Sequence, residues 1–457
     1  MSKKHRIRHF FIHSLSPQQV MLLGFGSVIT IGALLLYTPW ASINPKGTSL
    51  IDCFFTATSA VCVTGLTVVD TSTNWTAFGK TVIIALIQTG GLGFMSISAT
   101  VALILGRKIN IRQRILIKES FNRDAVAGTV RLIMNVIKFT AIIEISGALI
   151  LMTVFIPEFG LLRGIGYSVF HSISAFCNAG FDILGGTFGK YCSLVPYADN
   201  PIIVFTICGL IILGGIGFGV IVNVTQKRHF KKFDLTSKLA IKTTLILLVM
   251  GTLLIIATEF TNPKTLGNMG AGKSFLVSFF QAVTCRTAGY ATIDLSLFRE
   301  STLFFMMILM FIGASPSSTG GGIKTTTLAI IFASVRTVVK NDGDIVIYNK
   351  KISIQALRKA LGVLSMAIVF ITISTYLLTM TQGEDFGFFA SAFESVSAFA
   401  TVGLSLGGTP SLNSFGKLII MIMMFSGRVG TLTMLTLIIH KSKKTHVKFP
   451  EESVAVG

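Results

Sequence analysis

Eight stretches of this chain stay apolar long enough to cross a hydrocarbon core about 30 Å thick as helices, which takes about 20 residues. They are roughly Val20–Trp40, Phe78–Leu105, Leu132–Ile156, Ile202–Thr225, Ala240–Thr258, Leu303–Val339, Ala360–Met380 and Lys417–His440. Taken in pairs, they flank four shorter runs, each reading Phe-x-x-x-Ser/Thr, then small residues, then Gly. These runs are Phe55–Gly65, Phe170–Gly180, Phe280–Gly289 and Phe393–Gly403. Their glycines fall close to a quarter of the chain apart, so the sequence is a fourfold repeat of span, short segment and span.

The short segments lack the length to cross, so they must enter the membrane and return. Non-helical backbone at that depth is tolerated only when buried in protein or lining a water-filled cavity, and four such loops around one axis supply that cavity. Glycine lacks a Cβ and reaches left-handed conformations that let successive carbonyls line a ring replacing an ion's hydration shell. The half-helix before each glycine turns the negative end of its dipole to the cavity, which selects cations. The pattern therefore predicts an all-α polytopic membrane protein: four span, re-entrant loop and span repeats around one central pore, with eight transmembrane helices and four half-helices. The expected filter is the backbone of Val63, Thr64 and Gly65, of Asn178, Ala179 and Gly180, of Thr287, Ala288 and Gly289, and of Thr401, Val402 and Gly403. The expected divisions are a cytoplasmic N-terminus with repeat 1 and a basic connection (1–125), repeat 2 (126–234), repeat 3 (235–351), repeat 4 (352–440) and a cytoplasmic tail (441–457).

Composition agrees: 51% of residues are hydrophobic and 13% charged, against about a quarter charged in soluble proteins. The net charge of +20 would suggest nucleic acid in a soluble domain, but its distribution excludes that reading. Most Lys and Arg fall at the N-terminus (Lys3, Lys4, Arg6, Arg8), in the connections Arg107–Lys138, Lys227–Lys242 and Arg336–Lys359, and in the tail Lys441–Lys448. With eight spans these five places share one side, so both termini are expected in the cytoplasm. The run from Val20 is too long for a signal-peptide core and reads as a retained first span. Six cysteines without a C-x-x-C pair read as small buried residues. No His/Asp/Cys cluster has catalytic spacing, and no enzyme activity is expected.

The second span of each pair carries a further glycine motif: Gly90–Phe94, Gly214–Phe218, Gly320–Lys324 and Ser426–Gly430. The first two read as kinks or close-packing sites. In the third, Gly313, Ala314, Ser315, Pro316, Ser317, Ser318, Thr319, Gly320, Gly321, Gly322 and Lys324 interrupt the span with residues that break helices. Two helices joined by a flexible intramembrane loop with few packing contacts follow, the loop facing the pore where it can obstruct ions. Arg428, mid-span in the last pair, reads as a positive barrier below the filter, the alternative being a buried arginine satisfied by carbonyls or an acid. Lys324 either anchors the loop or reaches the cytoplasmic interface, and Arg286 reads as a donor tying the third loop in place. His171 and Glu394 are expected to satisfy local backbone or neighbouring loops. Asp52 reads as an N-cap or a favourable charge at the first half-helix. Asp70 and Asp182 either attract cations at the outer mouth or are solvated loop residues. Gly267–Ser274 fits G-x-x-x-x-G-K-[ST], yet it lies between a span and a half-helix, on the outer side and outside any strand–loop–helix context, so phosphate binding is not expected.

The four loops, their spacing and the broken third second span resemble the membrane subunit of the Ktr bacterial potassium-uptake systems, within the Trk/Ktr/HKT superfamily. Gln281-Ala-Val-Thr-x-Arg-Thr-Ala-Gly289 and Phe176-x-Asn-Ala-Gly180 carry the likeness most closely. The resemblance extends from about Ser16 to the tail. It implies a single-chain pseudo-tetrameric pore in the bacterial plasma membrane, a homodimer with one pore per protomer, and a cytosolic ring of RCK-type regulatory subunits. It also implies sodium-stimulated potassium uptake, with potassium bound only at the filter, no covalent cofactor, and nucleotide bound by the partner. Relatives with serine at the first filter position tend to conduct sodium, so Gly65 favours potassium. The third loop has one residue fewer between Phe and Gly, leaving open the correspondence between Thr284 and Arg286. The alternative is an ion-coupled secondary carrier, a sodium/potassium symporter type with a midplane site. It predicts inverted repeats and two unwound helices, whereas this chain has four parallel repeats.

Overall fold

The computed structural model describes residues 16–93, 115, 129–341, 343–383, 386–430, 434 and 452. The basic N-terminus, the inner end of Phe78–Leu105, much of the Arg107–Lys138 connection, nearly all of the last span beyond Gly430 and nearly all of the tail lie outside the described residues. The described chain is mostly helical. The first quarter holds α1 (Pro17–Leu36), α2 (Leu50–Cys62) and α3 (Ala77–Leu92). The second holds α4 (Thr129–Phe159), α5 (Leu161–Phe176), α6 (Pro201–Gly215) and α7 (Phe218–Lys227). The third holds α8 (Leu235–Glu259), α9 (Ala271–Thr284), α10 (Glu300–Phe311) and α11 (Thr325–Lys340). After the hairpin β1 (Val346–Ile347) and β2 (Lys350–Lys351), the fourth holds α12 (Ile354–Thr381), α13 (Phe388–Ala400) and α14 (Ser414–Val429).

Helix starts follow local chemistry. Ser16 opens α1 with a reciprocal capping box to Gln19, and the side chains of Ser49, Thr76, Asn200, Asp234, Ser353 and Asn413 cap α2, α3, α6, α8, α12 and α14. The N-cap of α2 is therefore Ser49, and Asp52 sits in the first turn, where its charge complements the dipole.

Among the described residues four helices are long and apolar enough to cross a membrane, within Gln18–Leu36, Val130–Phe159, Leu235–Glu259 and Ile354–Thr381, the first helix of every quarter, and a bent pair in the second quarter makes a fifth if it counts as one span. They expose Leu34, Ile145, Leu149, Leu253 and Ile373, side chains suited to lipid rather than water. No described second span is one continuous helix, although the sequence reads as broken only in the third quarter and at most kinked in the first two. In the second quarter, Ile202–Thr225 is not one helix: α6 and α7 are bent by 93° at Gly217, whose φ is 100°. Helix α3 ends at Gly93 (φ 82°) and α14 at Gly430 (φ 98°). In the third quarter residues 312–324 are non-helical, as the run of Gly, Pro and Ser dictates.

Helix packing runs in a closed cycle. Within each quarter the short helix packs on the long one: α2 on α1, α5 on α4, α9 on α8 and α13 on α12. Between quarters, α3 meets α5, α6 meets α9, α10 meets α13, and α14 returns to α2. The last junction is tied by Lys417 Nζ to Asp52 Oδ1 at 2.7 Å, both side chains largely buried.

All six cysteines are free, five of them buried. Gly267–Gly270 makes a turn ahead of α9, closed by the Gly267 amide on Asn262 O at 2.8 Å.

Candidate functional site

The four short helices α2, α5, α9 and α13 end in loops that meet at the centre of the cycle. Each loop places two residues at positive φ: Val63 (57°) and Gly65 (92°), Asn178 (59°) and Gly180 (67°), Thr287 (66°) and Gly289 (79°), Thr401 (53°) and Gly403 (91°). A non-glycine left-handed residue costs roughly 1–2 kcal/mol. Four in equivalent places show that the surroundings enforce this backbone.

The glycines close a ring. A Cβ on Gly65 would lie 2.5 Å from Ala179 O, one on Gly180 2.5 Å from Ala288 O, one on Gly289 2.7 Å from Val402 O, and one on Gly403 2.0 Å from Thr64 O. Each glycine thus abuts the carbonyl just before the glycine of the next quarter, in the order one, two, three, four, one.

The Ser/Thr of the repeated motif supports this backbone, a role that its spacing alone did not disclose. Ser59, Ser174 and Ser397 accept through their carbonyls from the amides of Thr64, Ala179 and Val402. Thr284 O accepts from Ala288 N, one residue nearer. The residue missing from the third loop is therefore lost after Thr284, and Phe280 and Thr284 keep register with the other quarters. The hydroxyls act in two ways. Ser59 Oγ and Ser397 Oγ accept from the amides of Gly65 and Gly403, both at 3.1 Å. Ser174 Oγ and Thr284 Oγ1 instead donate to Phe181 O and Tyr290 O, at 2.9 and 2.6 Å. Tyr290 also donates its hydroxyl to Phe181 O at 2.9 Å, joining the second and third loops.

Residues 313–324 lie directly under this ring and are firmly held, contrary to the expectation of a loop with few contacts. The amides of Ser315 and Thr319 donate to Gly215 O and Gly214 O. Thr319 Oγ1 reaches Phe176 O (3.3 Å) and Asn178 Oδ1 (3.2 Å), and the amide of Gly321 donates to Thr401 Oγ1 at 3.0 Å. Thr325 Oγ1 donates to Ser315 Oγ at 3.0 Å. The amide of Phe218 donates to Ser317 O, and a Cβ on Gly217 would lie only 2.4 Å from the Pro316 carbonyl oxygen. Lys324 Nζ folds back on Gly320 O (2.8 Å) and Gly321 O (3.3 Å), so it anchors the segment. The serines, threonines and glycines that break the helix are the groups that make these bonds.

Arg428 joins three quarters. It donates to Thr319 O, Gly90 O and Gly91 O, carbonyls of the third-quarter segment and of α3. Gly90, Gly214 and Gly427 are equivalent, since a Cβ on each would strike the carbonyl of Val61, Phe176 or Phe399 at the end of its own short helix. Arg428 consequently stands where the first two quarters have Gly91 and Gly215.

Arg286 corrects an expectation. Its side chain is buried but reaches only Thr244 Oγ1 at 3.5 Å, and Nε and Nη1 have no partner. Its carbonyl makes the tie instead, accepting from Asn178 Nδ2 at 3.0 Å. His171 Nδ1 pairs with Tyr167 O at 2.8 Å, and Glu394 accepts from Ser405 and Thr409. Asp70 is a buried cap rather than a solvated residue: it accepts from the Thr73 and Tyr191 amides and fastens the outer loop of the second quarter to the first. Asp182, partly exposed, accepts from the Leu184 amide at 3.1 Å. The sequence reading missed Glu144 in α4, which accepts from Gln88 Nε2 at 3.2 Å. It lay inside a run assigned as apolar, where a lone carboxylate is itself the signal. Among the described residues no group of three or more His, Cys, Asp or Glu could hold a metal ion.

Long apolar helices around a ring of glycine loops indicate an integral membrane protein. A family model described as TrkH, cation transport protein, matches residues 16–447. The Ktr system potassium uptake protein B of Bacillus subtilis is 40% identical over 442 residues, 97% of each chain. The potassium/sodium uptake protein NtpJ of Enterococcus hirae is 38% identical, covering 97% of this chain and 98% of its own. The crystal structure of the potassium transporter TrkH from Vibrio parahaemolyticus superposes with a TM-score of 0.72 over 93% of this chain and 86% of that one, at 16% identity. The chain belongs to the TrkH family of cation transport proteins, and the resemblance read from the loop motifs holds.

Proposed function

We propose that this protein takes up potassium across the plasma membrane through the backbone of the four glycine loops. The observation that carries the reading is the cyclic approach of each glycine to the carbonyl of the next quarter. A ring of close-set carbonyls bounded by Cβ-free residues is suited to replacing the hydration shell of a cation. The full arrangement is eight spans and four half-helices around one pore, in repeats bounded near residues 125, 234, 351 and 440, with both termini cytoplasmic. Val63–Gly65, Asn178–Gly180, Thr287–Gly289 and Thr401–Gly403 form the filter. Residues 313–322 with Lys324 and Arg428 form the gate. The names of the Bacillus subtilis and Enterococcus hirae relatives support potassium as the cargo and sodium as a second ion. Purified protein in liposomes should admit tracer potassium in the presence of excess sodium. A flux equal to that of protein-free liposomes would remove the reading.

The regulatory partner, an RCK-type ring binding nucleotide, and a second protomer complete the assembly. Lys227, Arg228, Lys231 and Lys232 are exposed where α7 turns into α8. Beside them Lys238 Nζ lies 5.4 Å from the Tyr348 ring at the tip of the hairpin. Neutralising the four together is expected to lower co-purification of the ring about tenfold, in keeping with rim charges acting in concert. Unchanged recovery would confine them to topology and contact with anionic lipid.

A further inference from the structure

One position recurs behind the ring with different chemistry in every quarter. The residues after the motif phenylalanines are Thr56, His171, Gln281 and Glu394, all buried within one turn of the Ser/Thr that supports the loop. The first three each carry a polar atom without a partner: Thr56 Oγ1, His171 Nε2 and Gln281 Oε1. Glu394 is different. Its carboxylate accepts from Ser405 Oγ, and from Thr409 Oγ1 at 3.1 and 3.0 Å to its two oxygens. Thr409 Oγ1 also lies 3.1 Å from Ser405 Oγ, which accepts from the Gly407 amide at 3.0 Å.

Ser405 is the second residue after Gly403, at the outer end of the fourth loop and partly exposed, while Thr409 is buried. One carboxylate thus gathers both hydroxyls of the turn that follows the glycine. A buried carboxylate persists only when such donors satisfy it, so the turn and the acid depend on each other.

We propose that Glu394 is a positioning residue that sets the outer ion site by holding Ser405 and the turn to Thr409 behind Gly403. The equivalent Gln281 reaches the chain after its own glycine only through Nε2 to Thr292 Oγ1 at 3.5 Å, so the fourth loop is the one braced at this position by a carboxylate and two hydroxyls. This inference rests on reading the four loops as the filter.

The test is the potassium-to-sodium flux ratio of the full chain in liposomes. Glu394→Val and Ser405→Ala are each expected to lower it about fivefold, and Glu394→Gln, whose amide oxygen still accepts, to keep most of it. The double variant Glu394→Val/Ser405→Ala is expected to match the worse single one, because both remove the same bond. An unchanged ratio in Glu394→Val, or a double variant equal to the product of the singles, overturns the proposal. Should Glu394→Val fail to insert, Ser405→Ala and Thr409→Val decide: an unchanged ratio in both overturns it. Gly65→Ser separates the two readings. A ratio that Gly65→Ser leaves alone defeats the filter assignment itself. One that it lowers, while Glu394→Val does not, defeats only the role of Glu394.

Discussion

Gly65→Ser is expected to lower the potassium-to-sodium flux ratio about tenfold, equivalent to about 1.4 kcal/mol, while the protein still inserts. Two costs combine at this position. The φ of 92° is one that side-chain-bearing residues rarely adopt. The added Cβ would also sit 2.5 Å from Ala179 O, which belongs to the neighbouring quarter and must move. Displacing one carbonyl from a ring spoils the match to a dehydrated ion more than it spoils the fold, because the loop stays held by Ser59. Gly403→Ser should be more damaging, since its Cβ would approach Thr64 O to 2.0 Å. Flux ratios in liposomes check both, and a wild-type ratio in Gly65→Ser would show that the ring does not select.

Deleting Ser315–Gly320 is expected to raise basal potassium flux about tenfold and to make it less dependent on the regulatory partner. The segment is held in place by Gly214, Gly215, Asn178, Thr401 and Arg428, at about 0.5–1.5 kcal/mol net for each hydrogen bond. If the segment is the proposed gate, a partner that opens it must offset several of these bonds together. Arg428→Ala should act in the same direction by releasing Thr319 O, Gly90 O and Gly91 O and by taking a positive charge from the cation route. Basal flux as low as that of wild type in the deletion would exclude the segment as the gate.

The helical class, the four short helices ending in glycine loops and the third-quarter break were legible because each follows from a run of one kind: long apolar, short apolar ending in Gly, or helix-breaking. The 93° break at Gly217 was legible only as a kink or close-packing site, because a Gly-Gly-x-Gly motif in an apolar run fits both, and only the placement of α7 shows how far the chain turns there. The strength with which residues 313–324 are held was misread for a related reason. Serine, threonine and glycine read as flexible when no partner is known, and their partners here lie in other quarters, such as Gly214 and Thr401. The tie made by the Arg286 carbonyl escaped notice because sequence displays side chains and conceals backbone acceptors.

The contact of α14 with α2 also bears on how the molecule is made. Lys417 meets Asp52 across 365 residues of chain, so the face of α2 that receives α14 stays uncovered until the last helix has been synthesised. Until then the first quarter lacks the contact that closes the cycle. The fourth quarter acts as a keystone. A chain cut short before α14 would lack the partner of Asp52 and leave the seam between the first and fourth quarters unclosed.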